Sequence, residues 1–386
     1  MAKIKKTEET QISWKAEGAY PIRLVDNAFD EADTTLATIL RTCGAGEMPR
    51  VLLVADYNVV HYTEGIGSRI GRYFQAHGIK LAGPAVILSG GERIKNDKRQ
   101  SALRVARAAI EARIGCRDVL LAIGGGSVLD VAGFAAAQIR SGIKFVRMPT
   151  TLATQAEGAY SDYAALNEGY VKDAYRIPSH PAAVVVDVSF TRTILDGVWF
   201  GGIGECLRYA VTQDAALVKL ISTNIDALMA RDEAAAKALI SNMIDVRAKK
   251  GATDFAKWSA MRLEAMSNYR LPHGYALAIG TCLEGLYAIE RGVLKASDWE
   301  IVPTLLRKCG ALQGLVHSQR LFSQPANILM GLDALSITTG SMARILPKAI
   351  GKGVVEETPD REVYESVLSR FVETMLGSEG TEAKQA

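Results

Sequence analysis

Three consecutive glycines, Gly124-Gly125-Gly126, stand between an apolar run, Val119-Leu120-Leu121-Ala122-Ile123, and a segment beginning Ser127-Val128-Leu129-Asp130. The run reads as a buried strand and the segment after it as a helix. Without a Cβ in the way, such a turn lets backbone approach a ligand closely. The free N–H groups of the helix start suit a phosphate or pyrophosphate. Asp130 falls in the first turns of that helix, facing whatever the glycines hold. The chemistry offered is nucleotide binding. A tight strand-to-helix turn with no ligand uses the same residues, and the motif alone leaves both readings open. The five cysteines (Cys43, Cys116, Cys206, Cys282, Cys309) are scattered and lack CxxC spacing, so they offer no metal site and fit a reducing compartment.

A glycine turn binds only if a sheet holds it in place. Val51–Ala55, Ala85–Leu88, Val119–Ile123, Lys144–Met148 and Ala183–Asp187 read as strands, with helices over Thr63–His77 and Lys98–Ala112. Strands separated by helices predict a parallel sheet with crossover connections. Ligands on such sheets lie beyond the carboxyl ends of the strands. Asp56, Gly90-Gly91-Glu92, Gly124 to Gly126 and Pro149-Thr150-Thr151 all fall at such ends, so four loops converge on one edge. From about residue 190 the periodicity is helical: Gly202–Val211, Ala215–Met229, Glu233–Lys249, Trp258–Met266, Ala276–Arg291 and Asp298–Cys309. The expected organisation is an α/β domain over residues 1–188, a mostly α domain over 189–376 and a disordered tail over 377–386.

Composition narrows the function classes. A length of 386 residues accommodates two cores, and 45 Lys+Arg against 42 Asp+Glu leave no dominant basic block. Nucleic acid and membrane surfaces are therefore poor partners. No apolar run is long enough to span a bilayer, and the charged stretch Met1–Lys15 is not a secretion signal. A cytoplasmic protein with a small-molecule substrate is expected.

Several of these residues stand in a shared register. Gly124-Gly125-Gly126 with Asp130 and Gly133-Phe134, Pro149-Thr150-Thr151-Leu152 with Gln155, Gly90-Gly91-Glu92 with Lys95, Gly204-Glu205, and His273-Gly274 together resemble the dehydroquinate synthase superfamily of sugar phosphate cyclases. The likeness runs from about residue 20 to 360. It is closer still to a branch with a DFGHWxAHxLE segment, which here reads Asp254-Phe255-Ala256-Lys257-Trp258-Ser259-Ala260-Met261-Arg262-Leu263-Glu264. The resemblance implies an N-terminal Rossmann-like α/β domain, a mostly α-helical C-terminal domain, an active site between them and a homodimer. It also implies transient oxidation of a substrate hydroxyl by tightly held NAD, phosphate elimination, re-reduction and ring closure, assisted by a divalent metal.

By the same resemblance, Asp56 and Asn58 hold the adenosine portion of NAD, and Glu92 and Lys95 its ribose. Gly124, Gly125 and Gly126 face the pyrophosphate, while Asp130, Thr150, Thr151 and Thr193 supply the remaining cofactor contacts. The chemical half departs from the family. Glu205 and His273 match two of the three metal ligands, but the third falls on Lys257, whose ammonium cannot coordinate a metal. Met261 replaces a proton-transfer histidine, and HGE has become His273-Gly274-Tyr275. Zinc sites normally supply at least three protein ligands, so zinc is expected to be absent or weakly held. Among substrate contacts, Ser141 replaces an arginine, with Arg140 adjacent. Tyr163 replaces a lysine and Glu157 an aspartate. Asn167 and Lys172 stay in register, followed by Asp173, and Arg208 stands for a lysine. Between Lys249 and Asp254 the chain is shorter than the family pattern.

One physical reading links these changes. Lys257, set near Glu205 where the metal charge was, would polarise a carbonyl or stabilise an alkoxide. Equally, Lys257 would pair with Glu205 only to avoid a buried unpaired carboxylate. Tyr160, Tyr163, Tyr170 and Tyr175 make the substrate loop aromatic, which points either to a less anionic substrate or to plain packing. His61, His77, His180 and His317 lie outside the matched motifs and read as surface or packing residues. Three functions follow: a cyclase or lyase without zinc using Lys172, Glu205, Arg208, Lys257 and His273; an NAD-dependent oxidoreductase with net hydride transfer; and a non-catalytic NAD-binding paralogue.

Overall fold

Seven parallel strands form one sheet in the computed structural model, which describes residues 18–377. They are β1 (Ile22–Val25), β2 (Arg50–Asp56), β3 (Lys80–Leu81), β4 (Val86–Leu88), β5 (Val119–Gly124), β6 (Lys144–Pro149) and, beyond an antiparallel hairpin of β7 (Tyr163–Glu168) and β8 (Val171–Pro178), β9 (Ala183–Asp187). The order is β1-β9-β6-β5-β2-β3, with β4 also paired to β2. All residues of β5 and β9 are buried. Burial on both faces turns a parallel strand into an unbroken apolar run. That is why these two were readable, whereas β1 and the half-exposed β8 carry no such signal.

Helices α1 (Thr35–Cys43), α2 (Tyr57–Tyr62), α3 (Ile66–Ala76), α4 (Gln100–Glu111), α5 (Gly126–Gln138) and α6 (Leu152–Ala156) belong to the sheet half. The two faces of the sheet follow the period of 2. Val51, Leu53, Val119, Leu121 and Ile123 pack with α1 and α3 through Leu36, Leu40, Ile66 and Tyr73. Leu52, Val54, Leu120 and Ala122 face the other way, into a core that runs through α5 into the helical half. One apolar core therefore spans both halves of the chain, and no helix of the described residues is long and apolar enough to cross a membrane.

The helical half comprises α7 (Asp196–Gln213), α8 (Ala215–Met229), α9 (Glu233–Lys250), α10 (Lys257–Met266), α11 (His273–Glu290), α12 (Ala296–Trp299), α13 (Ile301–Lys308), α14 (Gln313–Ser318), α15 (Pro325–Thr339) and α16 (Arg361–Leu376), with a hairpin of β10 (Arg344–Ala349) and β11 (Lys352–Glu356). Aspartates cap several starts: the Asp214 carboxylate accepts from Ala216 N and Leu217 N, and that of Asp232 from Ala235 N. The predicted single helix over Asp298–Cys309 divides into α12 and α13 at Glu300. The predicted tail, 377–386, lies outside the described residues apart from Gly377, as does Met1–Lys15. Helices α7 and α11 cross where Gly201 meets Gly274. A Cβ on Gly274 would lie 2.4 Å from the Gly201 carbonyl carbon, so only glycine permits this approach. The crossing sets Glu205, one turn along α7, beside His273, the first residue of α11.

Candidate functional site

The predicted loop edge forms as the strand ends dictate. Gly124 closes β5, Gly125 has extended backbone at the N-cap of α5, and Gly126 begins the helix. The neighbouring loops press on these glycines: a Cβ on Gly125 would lie 3.1 Å from Thr151 Cγ2, and one on Gly126 would lie 3.2 Å from Thr154 Cγ2. Thr150 N donates to Gly124 O at 3.1 Å, and Thr151 caps α6 in a reciprocal box with Thr154. Gly90, at φ +68°, fits against Asp56, whose Oδ1 a Cβ there would meet at 2.7 Å. The Asp56 carboxylate caps α2 by accepting from Asn58 N at 2.9 Å, and burial pushes its pKa up. Asn58 is exposed on the first turn of α2. Thr193 ends the short helical segment after β9 and meets Thr63 at 3.2 Å.

From this edge a chain of alternating charges runs into the helical half. Lys95, only 4% exposed, pairs with Asp130 at 2.7 Å, Asp173 at 2.8 Å and Glu92 at 3.4 Å. Glu92 in turn meets Lys172 at 3.0 Å, and Lys172 meets Glu264 at 2.5 Å. Glu264 accepts from His273 Nδ1 at 2.7 Å. Against the desolvation that opposes its charge, Lys172 and Lys95 hold the Glu92 carboxyl well below the usual range. Burial works against protonated His273, but Glu264 outweighs it and raises the imidazole pKa. Nδ1 faces the Glu264 carboxylate and Nε2 is free of protein partners among the described residues, the side chain being 40% exposed. Asn167 spends both ends of its amide inside the network, donating to Glu92 at 3.0 Å and accepting from Asp173 N at 2.9 Å.

A second cluster lies between α6, α7, α9 and α10. Glu205 is buried and makes neither a hydrogen bond nor an ion pair among the described residues; burial raises its pKa, with His273 the strongest opposing influence. Burial also acts on Glu157, yet Lys257 first, then Arg208 and Arg247, hold its carboxyl below the ordinary value. Lys257 starts α10 after Ala256, which sits in the left-handed region at φ +60°. Its ammonium thus acts more on Glu157 than on Glu205, and no direct Lys257–Glu205 pair forms.

Two sequence expectations change, and one left open is narrowed. Lys172 is neutralised by two carboxylates rather than presented as a free substrate cation. Arg140 lies exposed beyond the far end of α5, about 20 Å from the glycine turn at 1.5 Å per residue, and the fold of one chain does not bring it to the other site residues. The tyrosines are mostly packing: the Tyr160 hydroxyl is buried against Gln155 O, Tyr163 lies beneath Arg176 at 4.9 Å, Tyr175 donates to Glu168 and Tyr170 is exposed. Sequence reasoning missed Glu264 and Arg247. Glu264 stood in the quoted segment without a role, and Arg247 sits in the polar run Asp245–Lys250, which reads as a solvated face.

The donor set does not fit a three-ligand zinc centre. The third position of the family's ligand set is Lys257, whose ammonium cannot coordinate a metal, and no three His, Cys, Asp or Glu side chains group to hold a metal among the described residues. The glycine turn does fit a dinucleotide, since it presents the N-terminus of a 13-residue helix at the carboxyl edge of a parallel sheet.

A parallel sheet with this edge, joined to a helical half that faces it with charged residues, defines a dehydroquinate synthase-like architecture. The 3-dehydroquinate synthase N-terminal family matches residues 85–198 and its C-terminal counterpart residues 202–323. The chain belongs to this family of sugar phosphate cyclases. Its fold is similar to that of ValA, a 2-epi-5-epi-valiolone synthase from Streptomyces hygroscopicus subsp. jinggangensis 5008 solved with NAD+ and Zn2+ bound. That similarity has a TM-score of 0.81 at 20% identity, over 94% of this chain and 99% of the other. A 2-deoxy-scyllo-inosose synthase complexed with carbaglucose-6-phosphate, NAD+ and Co2+ matches with a TM-score of 0.74 at 18% identity, over 90% and 96%. An NADH-dependent butanol dehydrogenase A from Thermotoga maritima matches at 0.66 and 16%, over 92% and 98%.

Proposed function

We propose that this chain is an NAD-dependent cyclase or lyase of the dehydroquinate synthase type that acts on a polar small molecule without a bound zinc. What supports the reading is the glycine cradle at the start of α5 together with Lys257 at the start of α10, which by the family resemblance falls where a metal ligand stands. When bound, NAD supplies reversible hydride acceptance, which makes a proton beside the oxidised carbon acidic enough to leave. The chain does the rest. Gly125 and Gly126 admit the pyrophosphate to the α5 N-terminus, and Asp130, Thr150, Thr151 and Thr193 border that space. Lys257 and Arg208 provide fixed positive charge that stabilises a developing oxyanion, with one unit each where a metal would give two. His273 moves a proton at Nε2 while Glu264 holds Nδ1.

Two measurements test this reading. Metal analysis of the purified protein is expected to find far less than one zinc per chain. Lys257→His combined with Met261→His supplies two imidazoles beside Glu205 and His273, and is expected to create zinc affinity. One tightly held zinc in the unmodified protein, or no gain in the double variant, would overturn the proposal. Net NADH accumulation on turnover would instead favour a dehydrogenase, the activity named for the Thermotoga maritima relative in fold.

A further inference from the structure

Lys257 reaches the second cluster from a helix start that has little local reason to stay in place. Helix α10 follows Ala256, held in the left-handed region at φ +60°, and no side chain caps it. Left-handed backbone strains a residue that carries a Cβ, and an uncapped start leaves its first N–H groups without side-chain partners. The fixing comes from the next residue. Trp258 is buried, and its indole Nε1 donates to Glu284 Oε1 on α11 at 2.6 Å. The same oxygen accepts from the Tyr364 hydroxyl of α16 at 2.8 Å, and the Tyr364 ring stands edge-on to the indole at 5.3 Å. From a third side α15 comes so close that a Cβ on Gly331 would lie 2.9 Å from Trp258 Cε3.

Glu284 is completely buried, a place where an apolar side chain often serves stability as well as a charged one or better. Its charge is loosely matched: Arg344 Nε lies 3.6 Å from Oε2, beyond hydrogen-bond range, and Oε2 has no donor. Both of its hydrogen bonds fall on Oε1, the atom that faces the indole. A carboxylate placed this way orients its neighbours more than it stabilises the fold. We propose that Glu284 and Trp258 are positioning residues for Lys257: the hydrogen bond between them, backed by Tyr364, fixes the rotation of α10 about its axis and hence where the Lys257 ammonium stands relative to Glu157. Successive helical residues point about 100° apart, so a rotation that frees the indole also swings Lys257 away from that carboxylate. The inference rests on the proposed role of Lys257 and deepens it by naming what holds that cation in place.

The test reads Lys257 directly. Lys257 is part-exposed, so reductive methylation of the full chain with isotope-labelled formaldehyde tags its amine, and Lys257→Arg identifies its signal in a proton–carbon NMR spectrum. Trp258→Phe, which removes the donor, is expected to shift that signal by more than its linewidth and leave those of the exposed lysines in place. Glu284→Met is expected to shift it likewise, whereas Glu284→Gln, which keeps an acceptor for the indole, leaves it near its original position. Tyr287→Phe is the control for stability alone. The Tyr287 hydroxyl belongs to the same buried cluster but donates to Glu356 at 3.2 Å and accepts from Asp360 N at 2.8 Å rather than meeting Glu284. Its loss is expected to lower the melting temperature and leave the Lys257 signal unmoved. A Lys257 signal indifferent to both Trp258→Phe and Glu284→Met, or moved as far by Tyr287→Phe as by either, would overturn the inference. Tightly held zinc in the unmodified protein would instead contradict the proposed role of Lys257, and the spectra separate the two because they read position without turnover.

Discussion

Gly274→Ala is expected to cost about 3 kcal/mol of stability, the upper end of the usual overpacking range, because the obstruction is backbone rather than a flexible side chain. The added Cβ would stand 2.4 Å from both the carbonyl carbon and oxygen of Gly201. Neither helix can yield locally, so α11 must move away from α7. That motion also parts His273 from Glu205, because His273 adjoins the contact and Glu205 lies one turn beyond it. Chemical denaturation measures the loss. Gly71→Ala is the control of opposite sign: Gly71 lies inside α3 with nothing within 4 Å of its Cβ position. There the same change is expected to stabilise by about 0.5–1 kcal/mol through a less flexible unfolded chain. Equal effects at the two positions would mean that the helix crossing is not as close as described.

Lys95→Met is expected to cost about 3–5 kcal/mol, the loss that follows when one partner of a buried ion pair is removed. Three carboxylates, Glu92, Asp130 and Asp173, share this single ammonium. Methionine fills the space but leaves Asp130 without a cation, and Glu92 and Asp173 with only Lys172 at 3.0 Å and Arg176 at 3.9 Å, respectively. The sign of the pH dependence follows from Glu92 and Asp173, whose carboxyls are held below their ordinary values. Stability from such groups is present above the unfolded carboxylate pKa of about 4 and is lost as pH falls through the depressed folded value. The gap between the unmodified protein and the variant should therefore be full at neutral pH and close below about pH 4. A gap that persisted unchanged in acid would show that Lys95 acts through packing rather than charge.

What could be read from the residues follows from where each signal resides. Strand β5, and β9 up to its final Asp187, are apolar because both of their faces are covered, and α8 runs over the predicted Ala215–Met229 because Asp214 caps it. The loop edge was legible because glycines and threonines at strand ends have local reasons to be there. Side-chain pairing was not. Whether Lys172 meets substrate or protein depends on Glu264, 92 positions away, and only the fold brings the two together. Arg140 stood next to an aligned position, but a helix that starts at the glycine turn carries its far end away from the site. Arg247 could not be told from its charged neighbours Lys249 and Lys250, because a polar run does not announce which member turns inward.

Nucleotide binding at the glycine turn is the claim on which the cofactor and the chemistry both depend. Calorimetric titration of the dialysed, folded chain with NAD tests it most directly. The structure predicts saturable binding at one NAD per chain, weakened at least tenfold by Gly125→Asp, which sets a carboxylate against the pyrophosphate at the N-terminus of α5. A folded protein that takes up no NAD, or binds it equally well with Asp at position 125, would contradict the account.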